Sequence, residues 1–122
     1  LRNEIKKSRK IYFYDNGIRN SIISNFNSIN LRNDTGQLWE NYLVAERIKK
    51  NEYQNNYCNK YFWRTTQQQE IDYIEETNGK LFTYEFKWNE KNKPHLSKTF
   101  ATAYPESKYQ VINKINYTDF LL

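Results

Sequence analysis

The chain has 122 residues, a length that fits one domain with a single core and is too short for two. Its formal net charge of +5 is compatible with an anionic partner, although charge of this size argues only for solubility and steering. One cysteine and one histidine exclude an internal disulfide and any metal site built on thiolates or imidazoles. The lack of a disulfide indicates a reducing compartment, so we expect a cytoplasmic protein. No apolar run approaches the roughly 20 residues of a membrane span and no signal peptide opens the chain, so we expect no membrane partner.

The sequence contains no methionine and therefore has no natural start residue. It opens on the polar, charged stretch Leu1-Arg2-Asn3-Glu4. We interpret the chain as a piece of a longer protein whose amino-terminal part precedes Leu1. No internal repeat or interdomain linker interrupts residues 1–122, so we expect them to form a single domain.

The first predicted elements in chain order precede residue 34. Residues 10–14 are typical of a short buried strand, and Asp15-Asn16-Gly17 supplies the turn chemistry that ends it. Residues 18–23 are predicted to form a short helix. A loop rich in Asn and Ser follows, through Asn33.

A longer helix is predicted from Gly36 to about Lys50, with Asp34 or Thr35 as its cap. Apolar side chains cover most of its circumference, so we expect it to pack on several sides. Glu40 lies on this largely apolar surface, which is an unusual position for a carboxylate.

The rest of the chain alternates between strand and helix patterns. Strands are predicted at residues 61–64, 70–75, 81–88 and 109–112, a helix at residues 96–104 after Pro94, and a helical or frayed tail at residues 117–122. The order of strand, helix, helix, three strands, helix and strand predicts an α/β fold with a mixed central sheet flanked by helices.

One dipeptide sets the register of the two central strands. Asn78-Gly79 lies between two strand-like runs, and Asn-Gly is the strongest short signal for a type I′ hairpin, because both central residues need positive φ. With these two residues at the turn, Thr77 faces Lys80 and Ile74 faces Thr83.

The same register predicts that two acids face each other. Counting back from the turn places Asp72 opposite Glu85 and Glu70 opposite Lys87, and opposed residues have Cβ atoms roughly 5 Å apart on one face. The other face of the second strand presents only aromatic side chains, which we expect to be buried: Phe82, Tyr84, Phe86 and Trp88.

Two opposed carboxylates repel each other unless a proton or a cation lies between them. Ligands that are all oxygen suit Mg²⁺ or Mn²⁺ rather than zinc. Lys87 would then position or activate a water, or balance charge in the transition state. The alternative is a solvated face on which a Glu70–Lys87 pair softens the repulsion.

These residues match a known pattern. Asp72, a gap of twelve residues and then Glu85-Phe86-Lys87 resemble the PD-(D/E)xK signature of restriction-endonuclease-like folds. That superfamily has a core of a helix, three strands, a helix and a further strand, and its preceding helix often donates another acid. The resemblance thus implies a site of Glu40, Asp72, Glu85 and Lys87, with the three acids holding the metal. The Pro of the signature is replaced by Ile71, which does not alter a ligand.

More closely, the chain resembles the uncharacterised C-terminal domain of a family of bacterial and archaeal AAA+-type ATPases. The resemblance rests on five stretches in order, namely residues 10–17, 38–41, 61–65, 69–72 and 84–88. It implies that an ATPase domain precedes Leu1 and is a partner of this domain. No Walker motif occurs in the chain, so no nucleotide site of the P-loop type is expected here.

Several polar side chains near the hairpin are weaker candidates for contacts with nucleic acid. Arg64 and Gln69 flank it and can reach a phosphate or orient a metal-bound water, with surface solvation as the alternative. Lys91, Lys93 and Lys98 cluster with Lys87 and can grip a DNA or RNA backbone, although lysine runs are often only solvated faces.

The sequence is compatible with three alternative functions. The first is a Mg²⁺-dependent phosphodiesterase acting on DNA or RNA, which the complete set of acids and lysine favours. The second is a catalytically silent nuclease fold that serves binding or regulation of its ATPase, which the modest charge and the lack of an Arg-rich stripe favour. A third, a generic α/β domain, leaves the opposed acids unexplained.

Overall fold

The computed structural model describes residues 20, 34–65, 67 and 69–122. The strand predicted at residues 10–14 lies outside these ranges, as does the helix predicted at residues 18–23 except for Asn20, which is helical. The elements from Thr35 onward are α1 (Thr35–Tyr53), β1 (Asn59–Arg64), β2 (Glu70–Thr77), β3 (Lys80–Phe86), α2 (Lys98–Ala103), β4 (Lys108–Ile112) and α3 (Tyr117–Leu121). Within the described part of the chain, no helix is both long and apolar enough to cross a membrane.

Helix α1 runs about one turn beyond the predicted end at Lys50. The added turn contains no helix breaker and includes Asn51, which is buried and donates a hydrogen bond to Glu75 Oε2 at 3.0 Å. Asn55 then adopts a positive φ of 55°, a conformation typical of the residue that ends a helix. Tertiary contact therefore extends the helix further than local propensity indicates.

The four strands form one sheet in the order β1-β2-β3-β4. β1 and β2 are antiparallel, β2 and β3 are antiparallel, and β4 lies parallel to β3. Two parallel neighbours need a crossover connection, and the segment containing α2 supplies it. This arrangement confirms the predicted mixed sheet with helices in a mixed α/β domain.

The predicted hairpin between β2 and β3 is confirmed. Asn78 and Gly79 have φ values of 52° and 79°, as a type I′ turn requires. Thr77 pairs with Lys80 and Ile74 pairs with Thr83, which is the register that the turn predicts.

A bulge interrupts the other edge of β2. Tyr61 pairs with Ile74 but Trp63 pairs with Ile71, so β2 contains one residue more than β1 in this interval. The bulge explains why Ile71 and Ile74, three positions apart, pack in the same apolar cluster with Trp63. Strict alternation would place them on opposite faces.

Two apolar clusters cover the two faces of the sheet. One joins α1 and α3 to the sheet through Trp39, Leu43, Val44, Tyr73, Tyr84, Phe86, Ile112 and Phe120. The other packs α2 against the sheet through Trp63, Ile71, Ile74, Leu81 and Phe100. Tyr84 and Phe86 are buried as predicted, but Trp88 is 38% exposed because β3 ends at Phe86 and Trp88 lies past the sheet.

Candidate functional site

Asp72 lies where the regular pairing of β2 with β3 stops. The observed pairs end at Tyr73–Tyr84, so the predicted pairs Asp72–Glu85 and Glu70–Lys87 are not among them. Instead, Asp72 Oδ2 accepts a hydrogen bond from the Phe86 backbone N–H at 2.9 Å. The bulge at this point gives β2 an extra residue, and the Asp72 side chain replaces a backbone acceptor of the ladder. The carboxylate is therefore fixed beside the residue that follows Glu85.

Glu85 is nearly buried on β3, with 9% of its surface exposed. Both it and Asp72 act on the phenol of Tyr109: burial raises the pKa of Tyr109, and the negative charges of Glu85 and Asp72 raise it further. The Asp72 carboxylate is thus held next to the residue that follows Glu85, and Tyr109 lies diagonally across from Glu85 on the same face of the sheet, although Asp72 and Glu85 are not a ladder pair.

Lys87 follows the last residue of β3 but continues the strand. Its backbone N–H donates to the Ile112 carbonyl at 2.9 Å, which extends the pairing of β3 with β4. Because side chains alternate along a strand, Lys87 and Glu85 point to the same side of the sheet. Within the ranges that the structure describes, the Lys87 ammonium makes no ion pair or hydrogen bond.

Glu40 lies half-buried on α1, one residue after Trp39. The Trp39 ring contacts the Trp88 ring edge to face at 5.2 Å, so the start of α1 lies beside the end of β3. Among the described residues, however, no three His, Cys, Asp or Glu side chains form a group that can hold a metal ion. The structure does not bring Glu40 to Asp72 and Glu85 as a three-ligand site, and its role as a ligand stays a prediction.

The polar residues beside the hairpin have protein partners. Arg64 pairs with Glu70 across β1 and β2, with Nη2 to Oε1 at 2.7 Å and both side chains substantially exposed. Gln69 Oε1 accepts a hydrogen bond from Ser97 Oγ at 2.9 Å, which ties the β1–β2 connection to the start of α2. In this arrangement Arg64 and Gln69 stabilise surface connections.

The lysines of the predicted basic cluster all lie near the segment that joins β3 to α2. Lys91 and Lys93 are exposed within this segment, and Lys98 is exposed at the first residue of α2. No ion pair involves them among the residues described. They remain available to an anionic partner.

The structure also contains a buried ionic network that sequence reasoning missed. Glu75 on β2 is only 4% exposed and accepts four hydrogen bonds: from Arg47 Nε at 3.0 Å, Arg47 Nη2 at 2.9 Å, Asn51 Nδ2 at 3.0 Å and Tyr73 Oη at 2.8 Å. Burial alone would raise the pKa of Glu75, but the hydrogen bonds and the charge of Arg47 outweigh it and lower the pKa below its ordinary value.

Arg47 connects this network to the third helix. Its Nη1 donates to the Phe120 carbonyl, and its guanidinium lies 4.5 Å from the centre of the Phe120 ring. The network therefore joins α1, β2 and α3 and has a structural role. No sequence signal marked it, since Glu75-Glu76 next to a turn is typical of a solvated strand end.

The comparisons with known proteins give one family. No curated protein and no solved structure matches the chain. The family model described as Domain of unknown function (DUF4143) matches residues 35–119. This match spans more than two thirds of the chain and includes α1, the whole sheet and the residues around Tyr109. The chain therefore belongs to the DUF4143 family.

Proposed function

We propose that this domain carries a metal-dependent phosphodiesterase site that acts on nucleic acid. Asp72 and Glu85 are the metal ligands, Glu40 is the third acid, and Lys87 serves the attacking water. The observation that supports this most is the hydrogen bond that holds Asp72 Oδ2 at the backbone of Phe86, directly after Glu85, with Lys87 on the same side of β3 as Glu85.

The donor set suits Mg²⁺ or Mn²⁺. Mg²⁺ is usually bound through one or two carboxylates, with waters and substrate phosphates completing its octahedron, so two protein carboxylates are sufficient. When bound, such an ion supplies Lewis-acid polarisation of the phosphate and lowers the pKa of a coordinated water.

The chain's own groups have separate tasks in this proposal. The Phe86 N–H holds Asp72 Oδ2 in place, so the Asp72 carboxylate is preorganised before any ligand binds. The Lys87 ammonium supplies positive charge where the phosphate becomes more anionic during the reaction. Lys91, Lys93 and Lys98 lie beyond it and contribute to holding the backbone of the substrate.

The order of elements supports a restriction-endonuclease-like form of the mixed α/β fold. From α1 to β4 the order is helix, three strands, helix and strand, which is the order of the core that the signature implies. We extend the proposal to the protein context: the domain lies at the C-terminal end of an AAA+-type ATPase, whose ATPase part is its partner.

Two observations favour a second function, a catalytically silent module that serves binding or regulation of the ATPase. Asp72 already has a structural hydrogen bond to the backbone of Phe86. In addition, the described residues contain no group of three acids suited to a metal. In this alternative Asp72 and Glu85 maintain the geometry of β2 and β3. The exposed Lys91, Lys93 and Lys98 bind the ATPase part.

Calorimetric titration of Mg²⁺ and Mn²⁺ distinguishes the two functions. We expect saturable binding by the wild-type chain, and its loss in Asp72→Asn and Glu85→Gln. Glu76→Gln is the matched control, because Glu76 lies on the same strand as Asp72 and its carboxylate accepts a hydrogen bond from the exposed Asn59 amide at 3.1 Å. Absence of binding by the wild-type chain, or equal binding by all four proteins, would contradict the phosphodiesterase proposal and favour the silent module.

A further inference from the structure

The hydroxyl of Tyr109 is a buried polar atom that no described protein group satisfies. It is shielded from solvent and has no hydrogen-bond partner among the described residues, although the side chain as a whole is only half-buried. Buried hydroxyl groups are nearly always hydrogen-bonded, because burying one without a partner costs free energy. An orphaned hydroxyl in a native fold therefore calls for an explanation in terms of something that binds there.

The strand register places Tyr109 beside the candidate site. β4 runs parallel to β3, with Tyr109 paired to Thr83 and Val111 paired to Glu85. Paired residues share a face and side chains alternate, so Tyr109 and Glu85 lie on one face as diagonal neighbours. The Thr83 hydroxyl donates its hydrogen bond to the Lys108 carbonyl at 2.7 Å, so it does not donate to the Tyr109 hydroxyl.

We propose that the Tyr109 hydroxyl is a substrate-binding group of this site: solvent does not reach it in the free chain, and on substrate binding it is uncovered and donates its hydrogen bond to an oxygen of the bound phosphodiester. This inference rests on the proposed function and adds a residue to it from β4, a strand outside the acid-bearing hairpin. A phosphate oxygen is a charged acceptor, and hydrogen bonds to charged groups are the stronger ones.

A tyrosine hydroxyl ordinarily has a pKa of about 10, so the phenol is a hydrogen-bond donor at neutral pH. A neutral donor also suits a site with two acids, because it adds no further negative charge against an incoming phosphate.

Two binding measurements on Tyr109→Phe test the proposal. The first is Mn²⁺ affinity without nucleic acid, and the second is the affinity for a short fluorescent oligothymidylate with Ca²⁺ in place of Mg²⁺. We expect Mn²⁺ affinity within about twofold of wild type and oligothymidylate affinity about tenfold weaker, the loss typical of one hydrogen bond to a charged group. The melting temperature should stay level or rise, since the substitution removes an unpaired buried hydroxyl.

Tyr73→Phe is the matched control. Its hydroxyl donates to Glu75 Oε2 at 2.8 Å in the network on the other side of the sheet. We expect a lower melting temperature with unchanged oligothymidylate affinity, the reverse of the pattern for Tyr109→Phe.

Unchanged oligothymidylate affinity in Tyr109→Phe would overturn the inference and assign the hydroxyl to a structural water. A parallel loss of Mn²⁺ affinity would also overturn it, because the hydroxyl would then act on the metal. If the wild-type chain binds neither Mn²⁺ nor oligothymidylate, the proposed function itself fails and this inference fails with it. The binding curves of the wild-type chain for Mn²⁺ and oligothymidylate therefore distinguish failure of the proposed function from failure of the Tyr109 inference alone.

Discussion

Replacing Glu75 by Gln should destabilise the fold by about 3 kcal/mol, a figure that follows from the burial of its partner Arg47. The substitution keeps the shape of the side chain but removes the charge opposite Arg47, and the side chains of Arg47 and Glu75 are only 12% and 6% exposed. Breaking a buried ion pair by removing one partner costs roughly 3–5 kcal/mol, because the other charge stays buried without compensation. We take the lower end of that range, since the amide oxygen of the glutamine can still accept hydrogen bonds from Arg47 and Tyr73.

Urea unfolding followed by circular dichroism measures this loss, analysed as a two-state transition. Glu46→Gln is the matched control: it removes the same charge from a pair with Lys49 at 3.5 Å whose Glu46 and Lys49 side chains are 40% and 32% exposed. An exposed pair of this kind contributes about 0.5 kcal/mol or less. A change below about 1 kcal/mol in Glu75→Gln, or equal changes in the two variants, would refute the reasoning that the Arg47–Glu75 pair organises the packing of α1 and α3.

Two further predictions concern pH and the turn. Because the pKa of Glu75 is lowered below its ordinary value of 4.5, its charge stabilises the fold above that value, and this contribution is lost as the pH falls through the lower pKa of the folded state. Urea unfolding at a series of pH values should therefore show that the free energy of unfolding falls more steeply below about pH 4.5 in wild type than in Glu75→Gln. Parallel plots of this free energy against pH for the two proteins would contradict the prediction. Gly79→Ala should cost about 1 kcal/mol, since Gly79 has a φ of 79°. Gly36→Ala in the first turn of α1 should instead stabilise the chain by about 0.5 kcal/mol, the low end of the gain in a helix interior. Both sites have open space for the new methyl group, so thermal melts that shift in the same direction would refute the argument from φ.

The parts of the fold that depend on local chemistry could be predicted from the sequence. The positive φ values that Asn78 and Gly79 adopt follow from the residue types, and they fix the register of β2 with β3. The burial of Tyr84 and Phe86 on one face of β3 follows from alternation, whereas Phe82 is only half-buried. The prediction for Trp88 is wrong because nothing in the sequence shows that β3 ends two residues before it.

The site could be predicted only in part, because its geometry depends on tertiary contacts. The bulge that moves Asp72 out of the ladder arises from the pairing of β2 with β1, not from the hairpin turn. Tyr109 was missed because its position beside Glu85 requires the parallel pairing of β3 with β4, which no local pattern encodes. Arg47 and Glu75 lie 28 residues apart and meet only through the orientation of α1 on the sheet.

Cleavage of a labelled oligonucleotide by wild type and Lys87→Ala tests the central claim most directly. The account predicts Mn²⁺-dependent cleavage by the wild-type chain and a loss of about 10²–10³-fold in Lys87→Ala, the range typical of removing one group that stabilises charge in the transition state. Mn²⁺ binding should be retained in that variant, because Lys87 is not a ligand. A wild-type chain that binds Mn²⁺ without cleaving, or a Lys87→Ala variant that cleaves as fast as wild type, would contradict the assignment of Asp72, Glu85 and Lys87 as a phosphodiesterase site.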